Sequence, residues 1–185
     1  MLIGNKTVTY GKFFEDAFSF ASYLKKLKIK KKSKIIINFE NSYEYILSIM
    51  SCLIGGYIAC PLNNQLEKKR LNEIIKILKP SLILDNKLKV KTDIKTENIN
   101  SFEFSNNDFL IIFTSGTTGN SKGILFDVKN FLKSSKSFSE VSEYNESTIV
   151  YHCLPMFYMA GILNTFFSCI FSRSKIFLAE RVTIF

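Results

Sequence analysis

The chain has 185 residues, 46% of them hydrophobic, so it is long and apolar enough to bury the core of one domain. Its net charge of +9 comes mostly from lysine, and the densest cluster, residues 25–34, holds no aromatic side chain on which a base would stack. We therefore interpret the charge as a solvated surface and predict no nucleic-acid partner. The four cysteines lie in apolar runs without Cys-x-x-Cys spacing, which predicts buried, reduced thiols rather than disulfides or a zinc site.

The first residues lack the charged and apolar regions of a signal peptide. The longest apolar stretch, residues 46–62, is interrupted by serines and by the Gly55–Gly56 pair. This interruption favours a buried helix, turn and strand over a membrane span. The sequence therefore predicts a cytoplasmic protein with no membrane span.

Strand and helix patterns alternate over the first half of the chain. Apolar runs of the strand type occupy residues 6–10, 35–39, 57–60 and 82–84. Helical spacing of apolar residues occupies residues 13–27, 45–53 and 66–78. Thr9 or Gly11 is the predicted start of the first helix. Asn41 with Glu44 resembles a capping box for the second helix, and Gly55–Gly56 is its predicted end.

The second half continues this alternation after a polar, poorly periodic stretch, residues 87–107, which we interpret as a surface excursion. Two apolar runs, residues 109–112 and 124–126, flank a polar loop and predict a hairpin. The later predicted elements are a helix at 128–141, a strand at 148–153, a helix at 159–171 and a strand at 175–178. The whole order predicts an α/β fold with a doubly wound, largely parallel sheet flanked by helices.

The loop within the hairpin reads FTSGTTGNSKG, residues 113–123. Its glycine amides, hydroxyls and single lysine suit a polyphosphate, which predicts an anion-binding loop. A Walker A loop is excluded because Ser121 and Gly123 stand where it requires glycine and a hydroxyl residue, and a strand rather than a helix follows. A flexible hairpin loop without a ligand is the alternative.

This loop resembles the phosphate-binding signature of the adenylate-forming superfamily, [Tyr/Phe]-Thr-Ser-Gly-Thr-Thr-Gly-x-Pro-Lys-Gly. That superfamily includes acyl-CoA synthetases, luciferases and the adenylation domains of peptide synthetases. The one departure is Ser121 in place of the usual proline. Weaker matches at Thr9–Tyr10 and at residues 54–63 occur in the family's order. The resemblance implies an acyl-CoA synthetase-like fold, of which residues 1–185 would be the N-terminal subdomain without the downstream subdomains.

The resemblance also implies a reaction. A carboxylic acid and ATP would form an acyl-adenylate and pyrophosphate, and the thiol of CoA or of a carrier protein would then displace AMP. Mg²⁺ is expected with ATP, since it screens the same phosphate oxygens. The residues implied to hold the nucleotide are Thr114, Ser115, Gly116, Thr117, Thr118, Gly119 and Lys122.

No residue of the chain matches the family's catalytic lysine, magnesium-binding glutamate or ribose-binding aspartate. The catalytic residues are therefore unknown, and Lys122 is not the catalytic lysine. A downstream domain or a partner chain would supply the rest of the site.

A second motif, LPMFYMAG at residues 154–161, resembles the family's Leu-Pro-Leu-Phe-His-x-x-Gly segment, which lines the acyl pocket. This likeness implies that Phe157, Tyr158 and Gly161 contact the acid. Tyr158 stands at the histidine position, and a phenol can hydrogen-bond but does not titrate near neutral pH. The alternative is that Phe157, Tyr158 and Met159 only pack in the core at the start of a helix.

The single histidine, His152, precedes this motif in a strand-like run, which predicts a packed or edge residue rather than a catalytic one. Without a second histidine, neither a Ser-His-Asp hydrolase nor a histidine-rich metal site fits. After the loop, Asp127–Val128 replaces the family's frequent Thr-His. Two other functions stay open: a non-catalytic interaction module or split-enzyme half that retains the fold, and a basic nucleic-acid-binding protein.

Overall fold

The computed structural model of the chain describes residues 1–3, 6–86, 108–114 and 122–179. The strands are β1 (Leu2–Ile3), β2 (Lys6–Thr7), β3 (Lys34–Ile37), β4 (Ile58–Pro61), β5 (Leu82–Leu84), β6 (Asp108–Thr114), β7 (Lys122–Asp127), β8 (Ile149–His152) and β9 (Lys175–Leu178). The helices are α1 (Tyr10–Lys26), α2 (Tyr43–Gly55), α3 (Lys68–Leu78), α4 (Val128–Val141), a π-helix (Ala160–Phe167) and α5 (Ser168–Ser172). The surface excursion predicted for residues 87–107 lies outside the described residues.

The strands form two sheets. One has the order β5-β3-β4-β6-β7, in which only the β6–β7 pair is antiparallel. The other has the order β2-β1-β9-β8, with β1, β9 and β8 parallel. The predicted α/β class with a doubly wound, largely parallel sheet is confirmed. The division into two sheets was not predicted, because β1 pairs with a strand about 175 residues further along the chain.

Strands β3, β4 and β6 of the larger sheet are covered on both faces, because they are apolar at consecutive positions. Successive side chains of a strand point to opposite faces. Ile35 and Ile37 of β3 therefore join the core formed with α1, α2 and α4, while Ile36 joins the core formed with α3. This arrangement leaves the loops at the strand ends as the place for function.

Local sequence sets the start of α1 and the end of α2. Thr9 caps α1 by accepting a hydrogen bond from the Lys12 amide at 3.1 Å, and Gly56 ends α2 with φ of 71°. The predicted capping box at Asn41 was wrong. Ser42 is the cap of α2, since its hydroxyl accepts a bond from the Tyr45 amide at 3.2 Å. The side chain of Asn41 is therefore available for other contacts.

Candidate functional site

The parallel strands β3, β4 and β6 run side by side, and the carboxyl edge of such a sheet is where α/β proteins bind ligands. Ile37 pairs with Pro61, and Ala59 pairs with Leu110. The last residues of β6 consequently extend beyond the ends of its neighbours. The end of β3 lies two strands, roughly 10 Å, from β6. Side chains that follow β3 and β6 thus share one edge of the sheet.

Thr114 and Lys122 form the last pair of the predicted hairpin, whose existence is confirmed. Directly opposed residues of an antiparallel pair project to the same face. Both side chains are exposed, so a hydroxyl and an ammonium group stand together where the loop begins and ends. The other residues predicted to bind phosphate lie outside the described residues, and their role stays a prediction: Ser115, Gly116, Thr117, Thr118 and Gly119.

Gly123 has a packing reason that the sequence pattern alone does not show. It pairs with Phe113 across the hairpin. A Cβ on Gly123 would lie 3.0 Å from Ile111 Cγ2 and 3.3 Å from Phe113 Cζ, which is closer than ordinary contact. The glycine therefore lets the Phe113 ring lie against β7 and hold the strands together next to the loop.

Residues 154–161, which we name the pocket segment, form a compact turn. The Pro155 carbonyl accepts a hydrogen bond from the Tyr158 amide at 3.1 Å, and the Tyr158 carbonyl accepts one from the Gly161 amide at 3.1 Å. The rings of Phe157 and Tyr158 lie 4.4 Å apart, and Tyr158 is 54% exposed. The turn thus presents an aromatic surface to solvent, which is compatible with the predicted acid contact but does not test it.

Gly161 is buried at the end of this turn. A Cβ at this position would lie 2.4 Å from the Pro155 carbonyl oxygen. Because that oxygen belongs to the backbone and already accepts the Tyr158 amide, it has little freedom to move. The close approach of backbone to backbone explains why glycine ends the segment.

Asn41 is the functional candidate that the sequence did not reveal. Its Nδ2 donates to the Leu154 carbonyl at 2.9 Å, and its Oδ1 accepts from the Met156 amide at 3.0 Å. Both partners lie more than 110 residues away in sequence, so no local pattern indicates the contact. Through Asn41, the pocket segment is joined to the carboxyl edge of the larger sheet.

His152 lies just before the pocket segment, at the end of β8, and is fully buried, so it is the packed rather than the edge histidine of the two predicted alternatives. Its Nδ1 lies 2.5 Å from Thr165 Oγ1, and this hydroxyl donates to the Gly161 carbonyl at 2.6 Å. Because the hydroxyl has one proton, His152 is the donor of the shorter bond. Burial lowers the pKa of His152 to about 4, against a smaller opposing effect of the Leu154 backbone. The imidazole is therefore neutral at pH 7.

Two buried polar atoms lie near this edge without a hydrogen-bond partner, considering only the described part of the chain. They are Asn38 Oδ1, just after β3, and His152 Nε2. Over the same residues, no group of three or more His, Cys, Asp and Glu side chains is placed to hold a metal ion. Likewise, no helix within the described ranges is long and apolar enough to span a membrane.

The cysteine side chains take no part in the site contacts described above. All four are free thiols, and Cys52, Cys60 and Cys169 are buried as predicted. Cys153 is only half-buried, because it follows β8 at the start of the connection to the pocket segment. The prediction of burial was therefore wrong for this one residue.

The comparisons with known proteins identify the family. The family model described as "AMP-binding enzyme" matches residues 1–184, so the chain belongs to the AMP-binding, adenylate-forming enzymes. The chain is 28% identical over 153 residues to the D-alanine–D-alanyl carrier protein ligase of Streptococcus equi subsp. equi (strain 4047). That alignment covers 74% of this chain and 30% of the relative, so the chain spans less than a third of the relative's length.

Solved structures show the same fold. ATP-bound MatB from Rhodopseudomonas palustris matches with a TM-score of 0.86 at 16% identity, over 96% of this chain and 41% of that one. The o-succinylbenzoate CoA synthetase MenE of Bacillus subtilis, in complex with its acyl-adenylate intermediate, matches with a TM-score of 0.86 at 21% identity, over 98% of this chain and 52% of that one. The predicted acyl-CoA synthetase-like fold is thereby confirmed.

Proposed function

We propose that residues 1–185 form an N-terminal subdomain of an ATP-dependent acyl-adenylate-forming ligase, and that this subdomain binds the phosphates of ATP and part of the acid. The ligase joins a small-molecule carboxylic acid to AMP and transfers the acyl group to the thiol of CoA or a carrier protein. The observation that supports this most is the Thr114–Lys122 pair. It places a hydroxyl and a positive charge at the carboxyl edge of a parallel sheet, in a chain of the AMP-binding family.

The chemistry follows from where charge develops. When the carboxylate attacks the α-phosphorus, the bond to the β-phosphate oxygen breaks and pyrophosphate carries the negative charge away. The hairpin holds the backbones of Thr114 and Lys122 at the two ends of the loop, so their hydroxyl and ammonium groups are in place to offset this charge. The loop residues between them, with their hydroxyls and glycine amides, complete the phosphate contacts.

Mg²⁺ supplies charge neutralisation on the phosphate oxygens when it is bound. Within the described residues no carboxylate cluster offers it a protein site. We propose that the ion arrives on the nucleotide, and the roles of Thr114 and Lys122 do not depend on its position.

The remaining parts of the site come, in this proposal, from a further domain or a partner chain. The chain covers 41% and 52% of the two solved relatives described above, which leaves room for such parts. The compartment is proposed to be the cytoplasm, because the four free thiols are compatible with a reducing environment.

The acid would contact the pocket segment. Phe157 and Tyr158 present an aromatic surface there, with Tyr158 at the position where the family usually has histidine. The relatives' names point to different acids, D-alanine in one and o-succinylbenzoate in another. We therefore propose the carboxylic-acid class and no individual acid.

Isothermal titration of the purified chain with Mg-ATP and with pyrophosphate tests the proposal. We expect both ligands to bind, and Lys122→Ala to weaken both by roughly tenfold or more, as expected for the loss of a charge-assisted contact. Lys133→Ala is the matched control, since it removes one exposed lysine from α4, six residues beyond the end of β7.

Equal effects of the two substitutions would contradict the proposal. Binding to DNA with a steep salt dependence, together with no heat from Mg-ATP, would instead support the nucleic-acid alternative. A chain that binds neither ligand class would favour the non-catalytic interaction module.

A further inference from the structure

We propose that Asn41 is a positioning residue for the acid pocket, which it aligns by binding the backbone on both sides of Pro155. This inference rests on the proposed function, because it assigns a role to the segment that would contact the acid. Asn41 lies between β3 and α2, whereas the pocket segment lies over a hundred residues later. Its side chain forms a hydrogen-bonded link between the two.

The geometry of the contact is specific to an amide. Asn41 Nδ2 donates to Leu154 O at 2.9 Å, and Oδ1 accepts from Met156 N at 3.0 Å. The reversed amide would place a donor against the Met156 N–H and an acceptor against a carbonyl, so the partners fix its orientation. Pro155 has no N–H, and Leu154 O with Met156 N are the groups that flank it. One planar side chain therefore fixes both peptides next to the proline.

The base from which Asn41 acts is itself well held. The backbone N–H of Asn38 donates to the Leu84 carbonyl at 2.8 Å, which fixes the end of β3 against β5. Ser42 caps α2, and the Tyr43 hydroxyl donates to the buried Asp16 carboxylate at 2.7 Å. Asn41 is thus flanked by anchored residues, and its own side chain is not needed for the helix cap.

The other end of the contact leads directly to the side chains that face the acid. The Pro155 carbonyl accepts a hydrogen bond from the Tyr158 backbone amide at 3.1 Å, so the position of Pro155 determines the position of the Tyr158 backbone. Tyr158 is 54% exposed, and its described ring contact is with Phe157, which belongs to the same turn. Burial therefore does little to hold Tyr158, and its placement depends on the backbone that Asn41 binds.

Asn41 is expected to affect the binding of the acid but not the binding of the ATP phosphates. The phosphate loop begins at Thr114 on β6, two strands from β3 in the same sheet. Loss of the Asn41 contact should weaken recognition of the acyl group and leave phosphate binding unchanged. A merely structural role would instead weaken both together.

Asn41→Asp is the sharpest variant, because it keeps the acceptor for Met156 N and places a second acceptor against Leu154 O. Asn145→Asp is the matched control. The Asn145 amide makes the same pair of bonds, to Glu143 O at 3.1 Å and from Ser147 N at 3.0 Å, but within its own exposed turn. If Asn41→Asp does not fold, Asn41→Ala removes both bonds without adding charge and is tested in the same way.

Two measurements decide the inference. In ¹H–¹⁵N NMR spectra, Asn41→Asp should shift the amides of residues 154–161, and Asn145→Asp should not. In calorimetry, the probes are Mg-ATP, sulfamoyladenosine and its acetyl, D-alanyl and benzoyl derivatives. We expect Asn41→Asp to lower the affinity gained from the best acyl group by roughly five- to tenfold, the range for losing one or two hydrogen bonds, with Mg-ATP affinity unchanged.

Each other outcome counts against a defined claim. Equal losses for Mg-ATP and the acyl derivative, or unshifted amides in the pocket segment, overturn the positioning role of Asn41. The same holds if no acyl group adds affinity over sulfamoyladenosine in the unmodified chain. A chain that binds neither Mg-ATP nor sulfamoyladenosine sinks the proposed function instead, and the NMR shifts still decide whether Asn41 aligns the segment.

Discussion

Thr114 and Lys122 are directly opposed in the last pair of the β6–β7 hairpin, and both side chains are exposed. Seven residues separate them in sequence, and the antiparallel pairing brings them together at both ends of the loop. The pairing continues without interruption from Leu110–Phe126 to Thr114–Lys122. The ends of the loop are therefore fixed by backbone hydrogen bonds before any ligand binds.

Thr114→Val should weaken Mg-ATP binding without destabilising the protein. Valine keeps the β-branched shape that strands favour but lacks the hydroxyl. Losing one hydrogen bond costs about 1 kcal/mol, or roughly a fivefold rise in Kd, while the free energy of unfolding should stay within about 0.5 kcal/mol because the side chain is exposed. Calorimetry and urea unfolding give the two values. Unchanged affinity would show that the Thr114 hydroxyl does not touch the nucleotide.

The sequence predicts this hairpin because its signal is local. Two apolar runs flank a glycine-rich loop, and the strands form where the runs lie. The same holds for α4 and β9, whose bounds match the predicted residues 128–141 and 175–178. In each case, the spacing of the apolar residues and the local signals that end the element indicate the same bounds.

The features that were not predicted depend on distant partners. Asn41 and Ser42 are both good cap residues, and only the fold shows that Ser42 caps α2 while Asn41 binds near Pro155. The helix predicted over residues 159–171 begins as a π-helix, Ala160–Phe167. Its first turn is constrained by the contact of Gly161 with the Pro155 carbonyl, which helical spacing cannot reveal.

Gly161→Ala should destabilise the protein by about 1–3 kcal/mol, the usual cost of overpacking. The new Cβ would lie 2.4 Å from a backbone oxygen, so the pocket segment or the π-helix must move. Gly11→Ala is the control, because its Cβ would have only one neighbour, at 3.9 Å, in an exposed turn of α1. Urea unfolding should show a loss for Gly161→Ala and little change or a small gain for Gly11→Ala. Equal values would mean that the close approach is relieved without cost.

His152 should make stability depend on pH below neutrality. Its pKa falls from 6.5 when unfolded to about 4 when folded, because burial disfavours the charged ring. As pH falls from 6.5 to 4, the unfolded chain binds a proton that the folded chain does not, so stability decreases over this window. The full contribution is present above pH 6.5. At pH 4.5 the loss amounts to roughly 2–3 kcal/mol.

His152→Gln isolates this effect, since His152 is the single histidine and all other titrating groups are shared. Urea unfolding at pH 7.5 and pH 4.5 should show a steeper loss of stability in the unmodified protein than in the variant. Parallel losses in the two proteins would show that folding does not lower the pKa of the His152 ring.

Cys153 should react with iodoacetamide before the three other cysteines. Burial raises the pKa of Cys60 and of Cys169 to about 12 and raises that of Cys52 further, and all three side chains are fully buried. At pH 8 a thiol with a pKa near 12 is a thiolate in only about one molecule in ten thousand, and the thiolate is the reactive form.

Cys153 is half-buried and therefore accessible. Intact-mass spectrometry after iodoacetamide treatment should show one rapid adduct, which Cys153→Ser removes, and three more only in denaturant. Rapid addition of a second adduct under native conditions would show that one of the core thiols is exposed by local opening.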